Sequence, residues 1–167
     1  IKTIIVNNRP LPDVSANALA ALEAKNNPPF LFNRSGEMVR VAMIKEKNKQ
    51  HETTTRPVVK ILNEDALRGA MARSADYVKT RKDPGGNAQL LPCSPPMDAV
   101  RDILALGDWP MPVLQDVVQV PIMRQDGSIM AVQGYDPVTA LYYAPDGKMI
   151  LPEVQPNPSK FDIESAV

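Results

Sequence analysis

A chain that does chemistry needs a nucleophile, a titrating base, a cluster of metal ligands or a cradle for phosphate. This sequence offers thin material for each. Its one histidine, His51, lies in a charged stretch with no local partner at metal-ligand spacing. A Ser-His-Asp arrangement would depend on that residue, and there is no nucleophile elbow to go with it. Its one cysteine, Cys93, stands between Pro92 and Ser94 just ahead of a helix start. Such a position can lower a thiol pKa, but a small packed side chain is the plainer expectation. A single cysteine excludes both a disulfide within the chain and a thiolate metal site. Gly85-Gly86 lacks the Gly-Lys-Ser/Thr ending of a phosphate loop. Asp126 and Asp136 are imaginable as a metal pair, yet each sits in strong turn chemistry, Asp126-Gly127 and Tyr135-Asp136-Pro137. The residues thus predict no catalytic group, no cofactor and no metal.

Positive content lies in charge. Net charge is zero, but residues 34–82 hold 12 Lys/Arg against 6 Asp/Glu, while residues 83–167 hold 4 against 11. Either the first half meets an anionic partner or the two halves attract each other. The candidate phosphate contacts are Arg34, Arg40, Lys45, Lys47, Arg68, Arg73, Lys79, Arg81 and Lys82, each a cation rather than a base reader. If they converge on one face, they can track a nucleic-acid backbone; otherwise they are a solvated surface. Aromatic residues near them are few: Phe30, Phe32 and Tyr77. Phe30 and Phe32 share one strand face and read as core, so binding should be backbone-driven and salt-sensitive.

The elements that must position these residues are short. Seventeen prolines against eight glycines predict stiff connections between them. Lys2–Val6 reads as a strand, and a helix capped by Asp13 follows with Val14, Ala18, Leu19 and Leu22 on one stripe. Phe30–Phe32 and Met38–Val41 flank the turn residues Asn33–Gly36, and residues 45–56 read as a solvated polar loop. Residues 57–62 read as a strand. Asn63 caps the clearest helix, whose stripe of Leu67, Ala70, Met71, Ser74 and Val78 carries Lys79, Arg81 and Lys82 to its basic end. Residues 83–87 are a loop or hinge. Pro95-Pro96 opens a helix that Gly107 ends. Residues 117–123 and 128–132 bracket a hairpin turn at Arg124–Gly127, and Ala140–Tyr143 is a last short strand. The fold class expected is α+β, with small mixed or antiparallel sheets, β-hairpins and three to four helices.

The charge break suggests a basic α+β subdomain at 1–83, an acidic helix-plus-hairpin subdomain at 84–152, and a linker with the start of a following domain at 153–167. Ser159 with Asp162 three residues on reads as a helix start close to the end of the chain, which leads us to expect a longer protein. No apolar run approaches a membrane span and no signal peptide is present, so a cytoplasmic setting is expected.

One stretch is familiar as a pattern: Trp109-Pro110, Pro112-Val113-Leu114, Val118–Pro121, Arg124-Gln125-Asp126-Gly127-Ser128-Ile129, Gly134-Tyr135-Asp136, Thr139 and Leu141-Tyr142-Tyr143. With Phe32–Arg40, Leu62–Leu67 and Pro95-Pro96, it resembles a region of phage, plasmid and integrative-element replication proteins over about residues 30–150. In that family the region lies between a primase-type portion and an ATP-dependent helicase portion. Neither the Walker motifs nor the acidic primase cluster occurs here, so no enzymatic activity carries over. The resemblance implies a non-catalytic accessory or linking domain. Its partners would be DNA, single- or double-stranded and read without sequence preference, the neighbouring helicase or primase domains of the same chain, and a homo-oligomer. The alternative is a protein–protein docking or oligomerisation module without nucleic-acid contact, using Trp109, Tyr135 and Asp136 as its surface.

Overall fold

The computed structural model describes residues 2–47 and 53–145. In chain order these form β1 (Lys2–Ile5), α1 (Leu11–Lys25), β2 (Phe32–Arg34), β3 (Glu37–Lys47), β4 (Thr53–Ile61), α2 (Glu64–Ser74), β5 (Ala75–Lys82), β6 (Ala88–Pro92), α3 (Met97–Ala105), β7 (Asp116–Val118), β8 (Ile122–Met123), β9 (Ile129–Met130), β10 (Gly134–Asp136) and β11 (Leu141–Tyr143). The fold is α+β, with small separate sheets ordered β1-β5-β6, β2-β3-β4, β10-β11-β7 and β8-β9. Among the described residues no helix is long and apolar enough to cross a membrane.

Local chemistry explains most boundaries. Asn63 caps α2 as its sequence predicts, its Oδ1 accepting from the Ala66 N–H at 2.8 Å. Ser35 and Gly36 both take positive φ, 53° and 79°, which closes the β2–β3 turn in two residues and pairs Arg34 with Glu37. Gly107, at φ 69°, follows the last residues of α3. Asp13 is not the cap of α1; the helix begins at Leu11 behind Pro10, and Asp13 lies in its first turn, where a carboxylate favours the positive helix end.

Two expectations fail for tertiary reasons. The helix expected to run on through Val78 stops at Ser74, and residues 75–82 are strand β5. It lies parallel to β1, with Lys2 opposite Ala75 and Ile5 opposite Val78, and antiparallel to β6. Pairing on both edges satisfies the backbone groups of Tyr77 and Val78, and the Asn7 side chain bonds both the N–H and the carbonyl of Thr80; these residue types suit a pleated surface. The loop expected at 45–56 is instead ladder at both ends: Lys45 pairs with Thr55, Glu46 with Thr54 and Lys47 with Thr53. His51 and Lys49 lie outside the described residues, as do the linker and helix start expected at 153–167.

Two cores organise the described residues. The first takes Ile4, Leu22, Leu31, Met38, Leu67, Met71, Val100 and Ile103 among others, with α1 packed on both α2 and α3. The boundary expected at residue 83 falls in the turn joining β5 to β6, and this core draws on residues from both sides of it. The second core is Phe32, Val39 and Leu114, with Val41, Val59, Val117, Tyr135 and Tyr142 against it. Phe32 is fully buried there, so Phe32→Ala should cost about 3–5 kcal/mol in urea denaturation. A loss below about 1 kcal/mol would mean that this second cluster does not hold the fold.

Candidate nucleic-acid interface

The β3–β4 hairpin outruns its core. On the face that carries Val39, Val41 and Val59 the packing ends near mid-strand, and Met43, Lys45 and Lys47 continue that face into solvent. Val41 to Lys47 spans about 20 Å at strand rise. The opposite face carries Arg40, Lys60, Glu46 and Arg56. Arg40 stands directly across from Lys60, both exposed; like charges in register repel, and an external anion would relieve them. Arg56 is satisfied internally by a two-pronged bond to Glu46 at 2.8 and 2.7 Å, which raises the guanidinium pKa and lowers that of the carboxyl. Residues 37–61 hold six Lys/Arg against three Asp/Glu.

The sequence-predicted cations do not gather on one element. Arg40, Lys45 and Lys47 are on the projecting arm. Arg34, on β2, reaches Asp116 at 3.5 Å. Arg68 turns inward, and its Nε–H donates to the Pro95 carbonyl at 2.9 Å, tying α2 to the approach to α3. Arg73 lines a shallow groove of about 320 Å³ with Lys2, Lys25 and small residues of α1. Lys79, Arg81 and Lys82 lie on β5 rather than on a helix, opposite Leu91, Gln89 and Ala88. Lys60 was missed by sequence reasoning, because only the β3–β4 register reveals that it faces Arg40.

The residues expected to form a docking surface are engaged within the fold. Trp109 is buried, and its Nε1–H donates to the Ile103 carbonyl at 2.7 Å. The Tyr135 hydroxyl donates to the Val113 carbonyl at 2.8 Å, and burial raises its pKa. Asp136 is buried, accepting from Arg124 Nε at 3.0 Å and from the Thr139 hydroxyl at 2.8 Å. Asp126 serves the adjoining turn by accepting from the Ser128 N–H and hydroxyl at 2.9 and 2.6 Å. Among the described residues no group of three His, Cys, Asp or Glu is placed to hold a metal. Cys93 is half-buried against the first core.

A second feature departs from the sequence expectation. Phe30 is not part of a strand and not core; it is 40% exposed. Buried Asn26 arranges this. Its Oδ1 accepts from the N–H groups of Phe30 and Leu31, each at 2.9 Å, and its Nδ2 donates to the Leu31 carbonyl at 2.9 Å. The loop Pro28-Pro29-Phe30 is thereby fixed beside Gln133, Gly134, Tyr135 and Tyr142, around a cavity of about 530 Å³.

No protein-family model, no curated protein and no solved structure matches the chain.

Hydrogen bonding to Arg124 lowers the Asp136 carboxyl from 3.8 to about 2. Its contribution to stability is therefore complete above about pH 4 and drains away as pH falls toward 2. Asp136→Asn should flatten that limb of the acid-denaturation curve, followed by near-ultraviolet circular dichroism. An unchanged acid limb would contradict the assignment.

Proposed function

We propose that this chain is a non-catalytic accessory domain of a mobile-element DNA replication protein of the primase–helicase kind. It acts in the cytoplasm and grips the DNA backbone without reading sequence. The single observation that carries the reading is the β3–β4 arm. It extends past its core with Arg40 and Lys60 in register on one face and Lys45 and Lys47 on the other. A two-stranded ribbon is narrow enough to enter a major groove, and cations on both of its faces can meet phosphates on either side. The chain's likeness to replication proteins in its turns and prolines agrees with that role. Lys79, Arg81 and Lys82 lie on β5 rather than on the arm.

A docking role has support of a different kind from the one the sequence suggested. The face of the β1-β5-β6 sheet opposite Ile4 and Tyr77 carries exposed Pro92 and Leu90, the latter 57% exposed, beside buried Val78.

About four phosphate contacts by the arm would lose roughly 50- to 150-fold in affinity between 50 and 200 mM salt. Fluorescence anisotropy with labelled oligonucleotides should show that loss. Lys45→Glu with Lys47→Glu should weaken binding at low salt and make the salt slope shallower. Binding that ignores both salt and these substitutions would reject the backbone-gripping role.

A further inference from the structure

From the surface around Phe30 we infer that the domain stacks an unpaired base of single-stranded DNA in the groove between Phe30 and Tyr142. The inference rests on the DNA reading above and narrows its substrate to strands with exposed bases. Four observations support it.

The groove is built. Phe30 is a large apolar side chain left 40% exposed; its backbone N–H donates to the Oδ1 of buried Asn26, which also accepts from the Leu31 N–H and donates to the Leu31 carbonyl. The backbone of the loop that carries the ring is thereby ordered. The lining contains no charged side chain; it is Phe30, Tyr135, Tyr142, Gln133 and the prolines 28 and 29. That suits a neutral, flat ligand.

The groove also joins the arm. Phe32 lies in register with Val39, so its ring belongs to the same face of the β2-β3-β4 sheet as Val41, Met43, Lys45 and Lys47. The Phe32 ring stands 5.1 Å from that of Tyr135 and 6.0 Å from that of Tyr142. Aromatic groove and lysine-bearing arm therefore lie along one face, as a strand with phosphates on one edge and bases on the other requires.

The polar groups of the groove also fit a base. The Tyr135 hydroxyl already donates to Val113. The Gln133 side-chain amide provides a donor and an acceptor together, which matches a base edge.

The test compares a labelled oligothymidine with a blunt duplex of equal length on the wild-type protein, Phe30→Ala, Phe30→Trp and Gln133→Ala. Phe30→Ala should weaken oligothymidine binding about 5- to 150-fold and leave the duplex unaffected, while Phe30→Trp should retain the single-strand affinity. Salt-sensitive, Lys45/Lys47-dependent binding in which Phe30→Ala changes neither substrate, or both alike, overturns the stacking site and leaves the backbone reading standing. No binding of either DNA by the wild-type protein removes both. A polyproline peptide that shifts the amide resonances of Phe30 and Tyr142, where oligothymidine does not, replaces the base with a peptide.

Discussion

The β2–β3 hairpin is the wall between the two cores, and the period of a strand sets what each side receives. Successive side chains point to opposite faces. Leu31 and Met38 therefore enter the first core, while their neighbours Phe32 and Val39 enter the second. A slip of one residue would exchange the two sets. The tight turn at Ser35-Gly36 prevents that slip. Asn33 extends the wall outward: its N–H donates to the Pro112 carbonyl and its carbonyl accepts from the Leu114 N–H, both at 2.9 Å. These bonds set Leu114 against Phe32 and bring the β10-β11-β7 sheet, with Tyr135 and Tyr142, onto the same face.

From that arrangement the two proposed surfaces follow. The strands that wall off the second core are longer than the core itself, so their far ends become an arm. The residues that continue its buried face change from Val39 and Val41 to Lys45 and Lys47, exchanging apolar burial for solvated charge at the point where packing ends. At the near end, the connection out of α1 must reach β2 with its backbone groups satisfied, and Asn26 does this from a buried position. Its geometry leaves Phe30 facing outward beside the aromatic residues of the second core. Arg68, Trp109 and Asp136, by contrast, each bond inward and serve stability.

Much of the scaffold was legible in the sequence because its signals are local. The Asn63 cap, the turn residues at 35–36, and Gly107 after α3 act through neighbouring backbone and need no tertiary partner. Strand β5 was not legible. Leu67, Ala70, Met71, Ser74 and Val78 keep helical spacing, and only pairing with β1 and β6 makes residues 75–82 extended. The arm was illegible for the opposite reason. Lys45, Glu46 and Lys47 are polar on both faces, so no alternation marks them as a strand, and the ladder with Thr53–Thr55 alone defines it. Lys60 was missed, and Phe30 was read as core, for the same reason, since register and a buried asparagine decide what they face.

Nucleic acid is proposed to lie along the arm and the face it shares with the second core. Titrating an isotopically labelled sample with oligothymidine and following amide chemical shifts tests this most directly. The account predicts perturbations at Met43–Lys47, Thr53–Thr55, Phe30 and Tyr142, with the outer face of the β1-β5-β6 sheet silent. Shifts confined to that sheet, around Val78 and Leu90, or no shifts at all, would contradict it.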